Sequence, residues 1–158
     1  MEDVPFANCK VGPGAPPIET DEGWLVIFHA VDVDPSRGKN GREEKWTKRY
    51  SVGVMLLDLE DPTKVLDVHE QSILAPETEY EISGGFRNNV VFPIRAVLEN
   101  EEVKIYHDAV DTAICLATAN VNELVGLCLK NSRKTYLTWE PTHQRSWLKD
   151  SRVQQDRS

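Results

Sequence analysis

Four apolar stretches follow one another along the chain, at residues 24–31, 50–59, 89–98 and 103–119. They are rich in Val, Ile, Leu and aromatic residues, and they alternate only partly with polar residues. This pattern is typical of strands covered on both faces, although a short apolar run alone does not exclude a buried helix. Their lengths and the Gly, Pro and Asp residues around them favour strands. We expect the fourth stretch to bend within residues 108–112.

One helix is predicted directly after the fourth stretch. Asn120 is a suitable N-cap residue, and Glu123 follows three positions later, as in a capping box. The apolar residues that share one face at helical spacing are Val121, Leu124, Val125 and Cys128. The predicted fold is therefore all-β in short meanders, with this single short helix.

Two segments lack the strand pattern. Residues 32–48 are polar and charged, and they predict a long loop between two strands. Residues 131–158 show little regular patterning and predict a terminal strand or a flexible tail. The expected organisation is one domain over residues 1–130 followed by the terminal segment 131–158.

Composition narrows the class of partner. A chain of 158 residues with 40% hydrophobic and 28% charged residues is typical of one globular domain. Its net charge of -8 argues against binding to nucleic acid or to an anionic membrane, since both require a basic surface. A pocket for a small anion needs only a few local donors and is compatible with this charge.

Three cysteines, Cys9, Cys115 and Cys128, cannot all pair within the chain, and no close Cys/His spacing indicates a metal site. We expect buried, reduced thiols. The N-terminus lacks the apolar core of a signal peptide, and no apolar run approaches the roughly 20 residues of a membrane helix. These features predict a cytoplasmic protein.

Lys10 and His29 lie at opposite ends of a loop and strand unit. The Gly and Pro residues between them predict an irregular, exposed backbone before the buried strand. If a turn brings the two side chains together, they and nearby backbone amides are able to hold a phosphate oxygen. The alternative is a solvated lysine and a histidine satisfied by the backbone, and the residues alone leave both interpretations open.

Several motifs occur in the order found in glycoside hydrolase family 130, and the chain resembles this family over residues 10–129. KVGPGAPPI at residues 10–18 is followed by TDEGWL and a strand that ends in His29. YSVGVMLLDLEDPTKVL, ILAPETEYEISGGFRNNVVFP and IYHDAVDTAICLATA are similar to later blocks of the family. The family contains inverting mannoside phosphorylases and related mannosidases.

The resemblance implies a five-bladed β-propeller, of which this chain would supply about two to three blades. The implied reaction is phosphorolysis of a mannose-containing oligosaccharide, which yields α-mannose 1-phosphate and a shortened sugar. It needs no cofactor beyond inorganic phosphate as co-substrate. Phosphate takes the place of the base-activated water of inverting hydrolysis, and cationic groups position it.

The resemblance also assigns ligand contacts. Lys10, His29 and Tyr50 match phosphate-binding positions, and Asp111 matches an aspartate that hydrogen-bonds the mannose. The alternative for Tyr50 is a residue that only packs at the start of a strand. The alternative for Asp111 is a residue that caps a turn.

Two further residues are candidates for sugar contact. Asn89 is a candidate for lining the funnel, and Trp24 offers an aromatic face to a sugar ring. The alternatives are a turn asparagine and a buried strand tryptophan.

The resemblance covers only the C-terminal half of such an enzyme. The catalytic aspartate and the phosphate-binding arginines are expected in the N-terminal half, so no catalytic residue is assigned here. We therefore expect the chain alone to be inactive. A non-catalytic sugar-binding or interaction fragment of a propeller is the alternative. Apolar blade faces left open predict self-association or pairing with a complementing N-terminal half.

Four residues depart from the family pattern. Ala30, Arg95 and Asp108 stand where glycine is expected, Arg95 in a turn, and His107 replaces a tyrosine. Glycine at such positions often serves a left-handed backbone, where another residue costs roughly 1–2 kcal/mol. The sequence therefore predicts relaxed constraint or an altered pocket.

Overall fold

The computed structural model describes residues 4–37 and 47–132. Two antiparallel sheets and one longer helix make up most of this part of the chain. The first sheet contains β1 (Lys10–Pro13), β2 (Ile18–Thr20), β3 (Gly23–Val33), β4 (Lys48–Leu57) and β5 (Val65–Val68). The second contains β6 (Val91–Glu99), β7 (Glu102–Ala109) and β8 (Ala113–Asn120). The helices are α1 (Glu79–Ile82) and α2 (Val121–Ser132), with 3-10 turns at Pro5–Ala7 and Pro35–Arg37.

The predicted mostly-β fold is confirmed. The four apolar stretches become β3, β4, β6 and the β7–β8 pair, and the fourth bends at residues 110–112 as expected. The Oδ1 atom of Asn120 accepts the N–H of Asn122 at 2.9 Å, which caps α2. The helix continues to Ser132, past the domain boundary predicted at residue 130. Within the described ranges the two sheets do not close into a ring, and the five-bladed propeller stays a prediction.

The loop predicted at residues 32–48 is shorter than expected at its start. β3 extends to Val33, so Asp32 is a buried strand residue. Its carboxylate accepts hydrogen bonds from Arg37 at 2.6 Å and from Arg49 at 2.9 Å. Arg37 also donates to the carbonyl of Thr47 at 2.9 Å and so joins the two ends of the connection. Residues 38–46 and the predicted tail at 133–158 lie outside the described residues.

The main core lies between the two sheets. Antiparallel register aligns directly opposed residues on the same face, so β3 and β4 present alternate side chains to each side. One face of the first sheet packs against the second sheet and α2. The buried residues of this core include Leu25, Ile27, Val52, Val54, Leu56, Val91, Val103, Ile105, Leu124 and Cys128. On the opposite face, Phe28 and Ala30 pack against the N-terminal segment.

Ala30, Arg95 and Asp108 do not adopt the left-handed backbone for which glycine would be needed. Positive φ angles among the described non-glycine residues occur instead at Asn89, Asn100, Glu101, Val110 and Asp111. Ala30 is fully buried within β3, and Arg95 lies in β6 beside a bulge rather than in a turn. Asp108 is an ordinary residue of β7. Extended backbone accepts any L-residue, so none of the three needs glycine for its conformation.

Candidate anion and sugar site

Strand pairing brings Lys10, His29 and Tyr50 to one face of the first sheet. Lys10 pairs with Val31, and Val31 pairs with Tyr50, while His29 lies two residues before Val31 on the same face. Lys10 is exposed and Tyr50 is half-buried. Antiparallel pairing of β1 with β3, rather than a tight turn, therefore brings Lys10 and His29 to the same face.

The imidazole of His29 is held through one nitrogen. Its side chain is 4% exposed, and Nδ1 lies 2.8 Å from the carbonyl oxygen of Pro13. A carbonyl only accepts, so Nδ1 carries the proton and donates. Nε2 is buried and has no hydrogen-bond partner among the described residues. The alternative of a histidine satisfied by the backbone is thus true of Nδ1 but not of Nε2.

Gly12 makes room for this imidazole. The two residues are paired across β1 and β3, and a methyl group at Gly12 would overlap the ring of His29. Two aromatic rings lie on other sides. The Phe92 centroid is 4.5 Å from that of His29, and the Tyr50 centroid is 6.1 Å away in a stacked arrangement. Gly12 and these two rings therefore define the space around the imidazole.

The surroundings of His29 favour its neutral form. Burial lowers its pKa, the hydrogen bond to Pro13 raises the pKa, and the positive charge of Lys10 lowers it further. A bound anion would favour the protonated form of His29, and Nε2 would then become a second donor beside Lys10.

Asn89 positions Tyr50 through the backbone. The N–H of Tyr50 donates to the carbonyl of Asn89 at 2.9 Å, and Tyr50 forms a parallel bridge with Val90. Asn89 has a φ of 56°, a left-handed conformation that asparagine tolerates well. This agrees with the alternative of a turn residue before a strand, and the same contact joins the two sheets beside His29.

Asp111 lies in the turn between β7 and β8, next to the same junction. The N–H of Val110 donates to the carbonyl of Val90 at 3.2 Å, which attaches the turn to the segment that holds Tyr50. Asp111 is exposed. The junction thus places cationic, imidazole and phenol groups on one sheet and a carboxylate on the neighbouring turn, which suits an anion beside a hydroxyl-bearing molecule.

The structure does not bring Trp24 to this site. It occupies the other face of β3, since it is five positions from His29 in a strand with a period of two. Its indole Nε1 donates to the carbonyl of Leu59 at 3.3 Å. Trp24 is a strand residue, as in the alternative of a buried strand tryptophan, but it is only half-buried.

Sequence reasoning did not assign Phe92 to this site, and it noted Asp108 only as a replacement of glycine. Phe92, beside His29, was an ordinary member of an apolar run and carried no signal. Asp108 is opposite Phe92 in the β6–β7 register and therefore lies on the same face of the second sheet. A signal existed for Asp108, because β7 alternates strictly between buried and more exposed residues, with His107 buried.

The cysteines only partly match the prediction of buried thiols. Cys128 is buried and Cys115 is half-buried, but Cys9 is exposed because it precedes the first strand. Burial raises the pKa of Cys128 to about 12. Among the described residues, no group of three or more His, Cys, Asp or Glu side chains is arranged to hold a metal ion.

None of the helices in the described ranges has the length and apolar character needed to cross a bilayer.

Comparison of the structure with solved proteins defines its class. The chain superimposes on the β-1,2-mannobiose phosphorylase from Listeria innocua, in complex with β-1,2-mannobiose, with a TM-score of 0.66. The two share 33% sequence identity over 79% of this chain and 31% of that one. The fold is thus similar to that of a mannoside-active phosphorylase.

The sequence comparisons identify the family. A family model described as beta-1,4-mannooligosaccharide phosphorylase matches residues 1–130. Beta-1,2-mannobiose phosphorylase from Thermoanaerobacter sp. (strain X514) is 40% identical over 112 residues, which are 71% of this chain and 32% of the relative. Beta-1,4-mannooligosaccharide phosphorylase from Ruminococcus albus is 32% identical over 76% of this chain and 33% of the relative. The chain belongs to glycoside hydrolase family 130.

The chain spans about a third of the length of the curated relatives it matches.

Proposed function

We propose that this chain supplies the phosphate-binding part, and one mannose contact, of an inverting β-mannoside phosphorylase. Lys10, His29 and Tyr50 bind the phosphate, and Asp111 and Asn89 face the sugar. The buried Nε2 of His29, without a partner among the described residues and on the same face as Lys10, carries the proposal. A desolvated polar atom of this kind is costly unless a ligand engages it.

The proposed chemistry follows from these groups. Phosphate is already anionic, so it needs positioning rather than a general base. A phosphate oxygen forms a bond to the anomeric carbon from the face opposite the leaving group, and the glycosidic carbon–oxygen bond breaks. The leaving oxygen takes a proton from an aspartic acid that we place outside this chain. The products are α-mannose 1-phosphate and the shortened sugar.

We further propose that another protein segment completes the site. The second sheet presents an open face that carries Tyr106, Ile114 and Leu116. Tyr106 alternates with the buried Ile105 on β7, and the β8 residues Leu116 and Ile114 pair with Tyr106 and Asp108. Ile114 is 72% exposed and Leu116 is 40% exposed. An apolar face of this kind is typical of a contact surface. We propose that a complementing N-terminal part covers this face. When the chain is isolated, a second copy of the chain takes that place.

Phosphate binding tests the anion site directly. Isothermal titration of the chain with inorganic phosphate is expected to show binding that weakens about tenfold in Lys10→Ala, because a charge-assisted hydrogen bond is lost. Lys64→Ala is the control, since Lys64 is an exposed lysine paired with Asp61 at another turn. Equal phosphate affinity in the two variants would remove the basis for the anion site.

A complementation assay tests the activity. The chain is mixed with the N-terminal two-thirds of the Listeria innocua phosphorylase, β-1,2-mannobiose and phosphate, and α-mannose 1-phosphate is measured. Product formation that requires both parts and is lost in His29→Gln supports the proposal. Binding of mannobiose without product would instead favour a non-catalytic sugar-binding fragment.

A further inference from the structure

The turn between β7 and β8 has an unusual backbone for its sequence. Val110 and Asp111 have φ angles of 52° and 56°, and the N–H of Thr112 donates to the carbonyl of Ala109 at 3.1 Å. Two successive left-handed residues are the pattern of a type I′ turn, which favours Gly, Asn or Asp. A β-branched residue such as Val110 disfavours that conformation. Contacts from outside the turn must therefore stabilise it.

Val110 is held by the loop that precedes β6. Its side chain is 3% exposed and lies against Gly85, where a methyl group would overlap it. Its carbonyl accepts the N–H of Phe86 at 3.0 Å, and its own N–H donates to Val90. These contacts anchor the first half of the turn but leave Asp111 to be oriented by another group.

Asp108 provides that group. One of its carboxylate oxygens, Oδ2, accepts the backbone N–H of Asp111 at 2.9 Å. Burial raises the pKa of the Asp108 carboxyl, and the hydrogen bond from the N–H of Asp111 lowers it. The carboxylate of Asp108 is thus held against the backbone of Asp111.

We propose that Asp108 is a positioning residue for Asp111. By accepting the N–H of Asp111, it fixes the left-handed conformation of this residue and directs its carboxylate toward a sugar hydroxyl. The inference rests on the proposed function, which makes Asp111 a mannose contact. It also gives a role to a side chain that stands where the family resemblance predicts glycine. Asp108 acts through Asp111 and makes no contact with the sugar itself.

Two variants at one position separate the hydrogen bond from the charge. Asp108→Ala removes the acceptor, whereas Asp108→Asn keeps an oxygen that accepts the N–H of Asp111. Asp111→Ala is the control that removes the proposed sugar contact. Each full-length variant is first checked for an unchanged far-ultraviolet circular dichroism spectrum. The measurements are the amide hydrogen exchange rate of Asp111 by NMR and the affinity for β-1,2-mannobiose in the presence of phosphate.

In Asp108→Ala we expect amide exchange of Asp111 to be at least about tenfold faster and mannobiose affinity about tenfold weaker. In Asp108→Asn both values should stay within about threefold of those of the unaltered chain. Unchanged values in Asp108→Ala, or equal losses in the alanine and asparagine variants, would overturn the inference. If the unaltered chain does not bind mannobiose, the proposed function fails. The exchange rates still decide whether Asp108 holds Asp111.

Discussion

The two buried histidines, His29 and His107, show how the surroundings of a side chain control its protonation. His29 lies on the site face of the first sheet, and His107 is buried on the core face of the second. Burial is the largest cause that lowers the pKa of each below 6.5, with Lys10 adding to it at His29 and Glu81 opposing it at His107. Both imidazoles are therefore neutral when the protein is folded at neutral pH.

These shifts predict that acid destabilises the fold from the histidine range downward. Below about pH 6.5 the unfolded chain binds protons at these histidines more readily than the folded chain, so the free energy of unfolding falls as pH falls toward the lowered pKa values. Urea unfolding between about pH 7.5 and about pH 5.5 measures the slope. His107→Gln should make the slope shallower. A slope that is the same in His107→Gln and in the unaltered chain would contradict this prediction.

Among the elements, the pairing of β1 with β3 is decisive for the site. It places Lys10 two positions from the partner of His29, and it requires a residue without a side chain opposite the imidazole. It also sets the carbonyl of Pro13 where it accepts from Nδ1. The short β1 strand thus supplies three features around the imidazole of His29: the charge of Lys10, the space at Gly12 and the carbonyl acceptor of Pro13.

Gly12→Ala tests this pairing. The added methyl overlaps the His29 ring, so the ring or β1 must move, and we expect a loss of about 1–3 kcal/mol in the free energy of unfolding. Gly126→Ala is the matched control, because nothing lies within 4 Å of a methyl group there and Gly126 is inside α2. Alanine in a helix interior should stabilise by about 0.5–1 kcal/mol. Chemical denaturation of both variants measures the difference, and equal stabilities would refute the close packing of Gly12 against His29.

At the scale of the whole molecule, the two sheets share one core but differ in their outer faces. The outer face of the first sheet is partly covered by Val4, Phe6 and Ala7. The open face of the second sheet exposes Tyr106, Ile114 and Leu116. Covering an exposed apolar sheet face with another protein surface is favourable, because apolar area is removed from water.

Ile114→Lys is expected to weaken self-association of the isolated chain at least about tenfold, because a lysine in an apolar contact must be desolvated. Sedimentation velocity over a range of concentrations measures the association. Val65→Lys is the control, since Val65 is 52% exposed on β5 of the first sheet. A monomeric unaltered chain, or equal effects of the two substitutions, would exclude the open face as the contact.

The amino-acid pattern was sufficient for the longer strands, for α2 and for the family. The apolar runs predicted β3, β4, β6 and the bent β7–β8 pair, and the spacing after Asn120 predicted α2. These signals are local, because strand and helix periods and N-caps depend on residues a few positions apart. The linked motifs at residues 10–29 and beyond were sufficient to indicate glycoside hydrolase family 130.

The arrangement of the site was decided by tertiary structure alone. Strand register determines that Gly12 faces His29 and that Phe92 packs on the imidazole. It also determines that Trp24 lies on the other face of β3. The burial of Asp32 between two arginines likewise depends on partners from outside its own strand. Register is set by contacts between residues far apart in the chain, and a shift by one position would exchange the two faces. The local sequence pattern therefore does not determine which register forms.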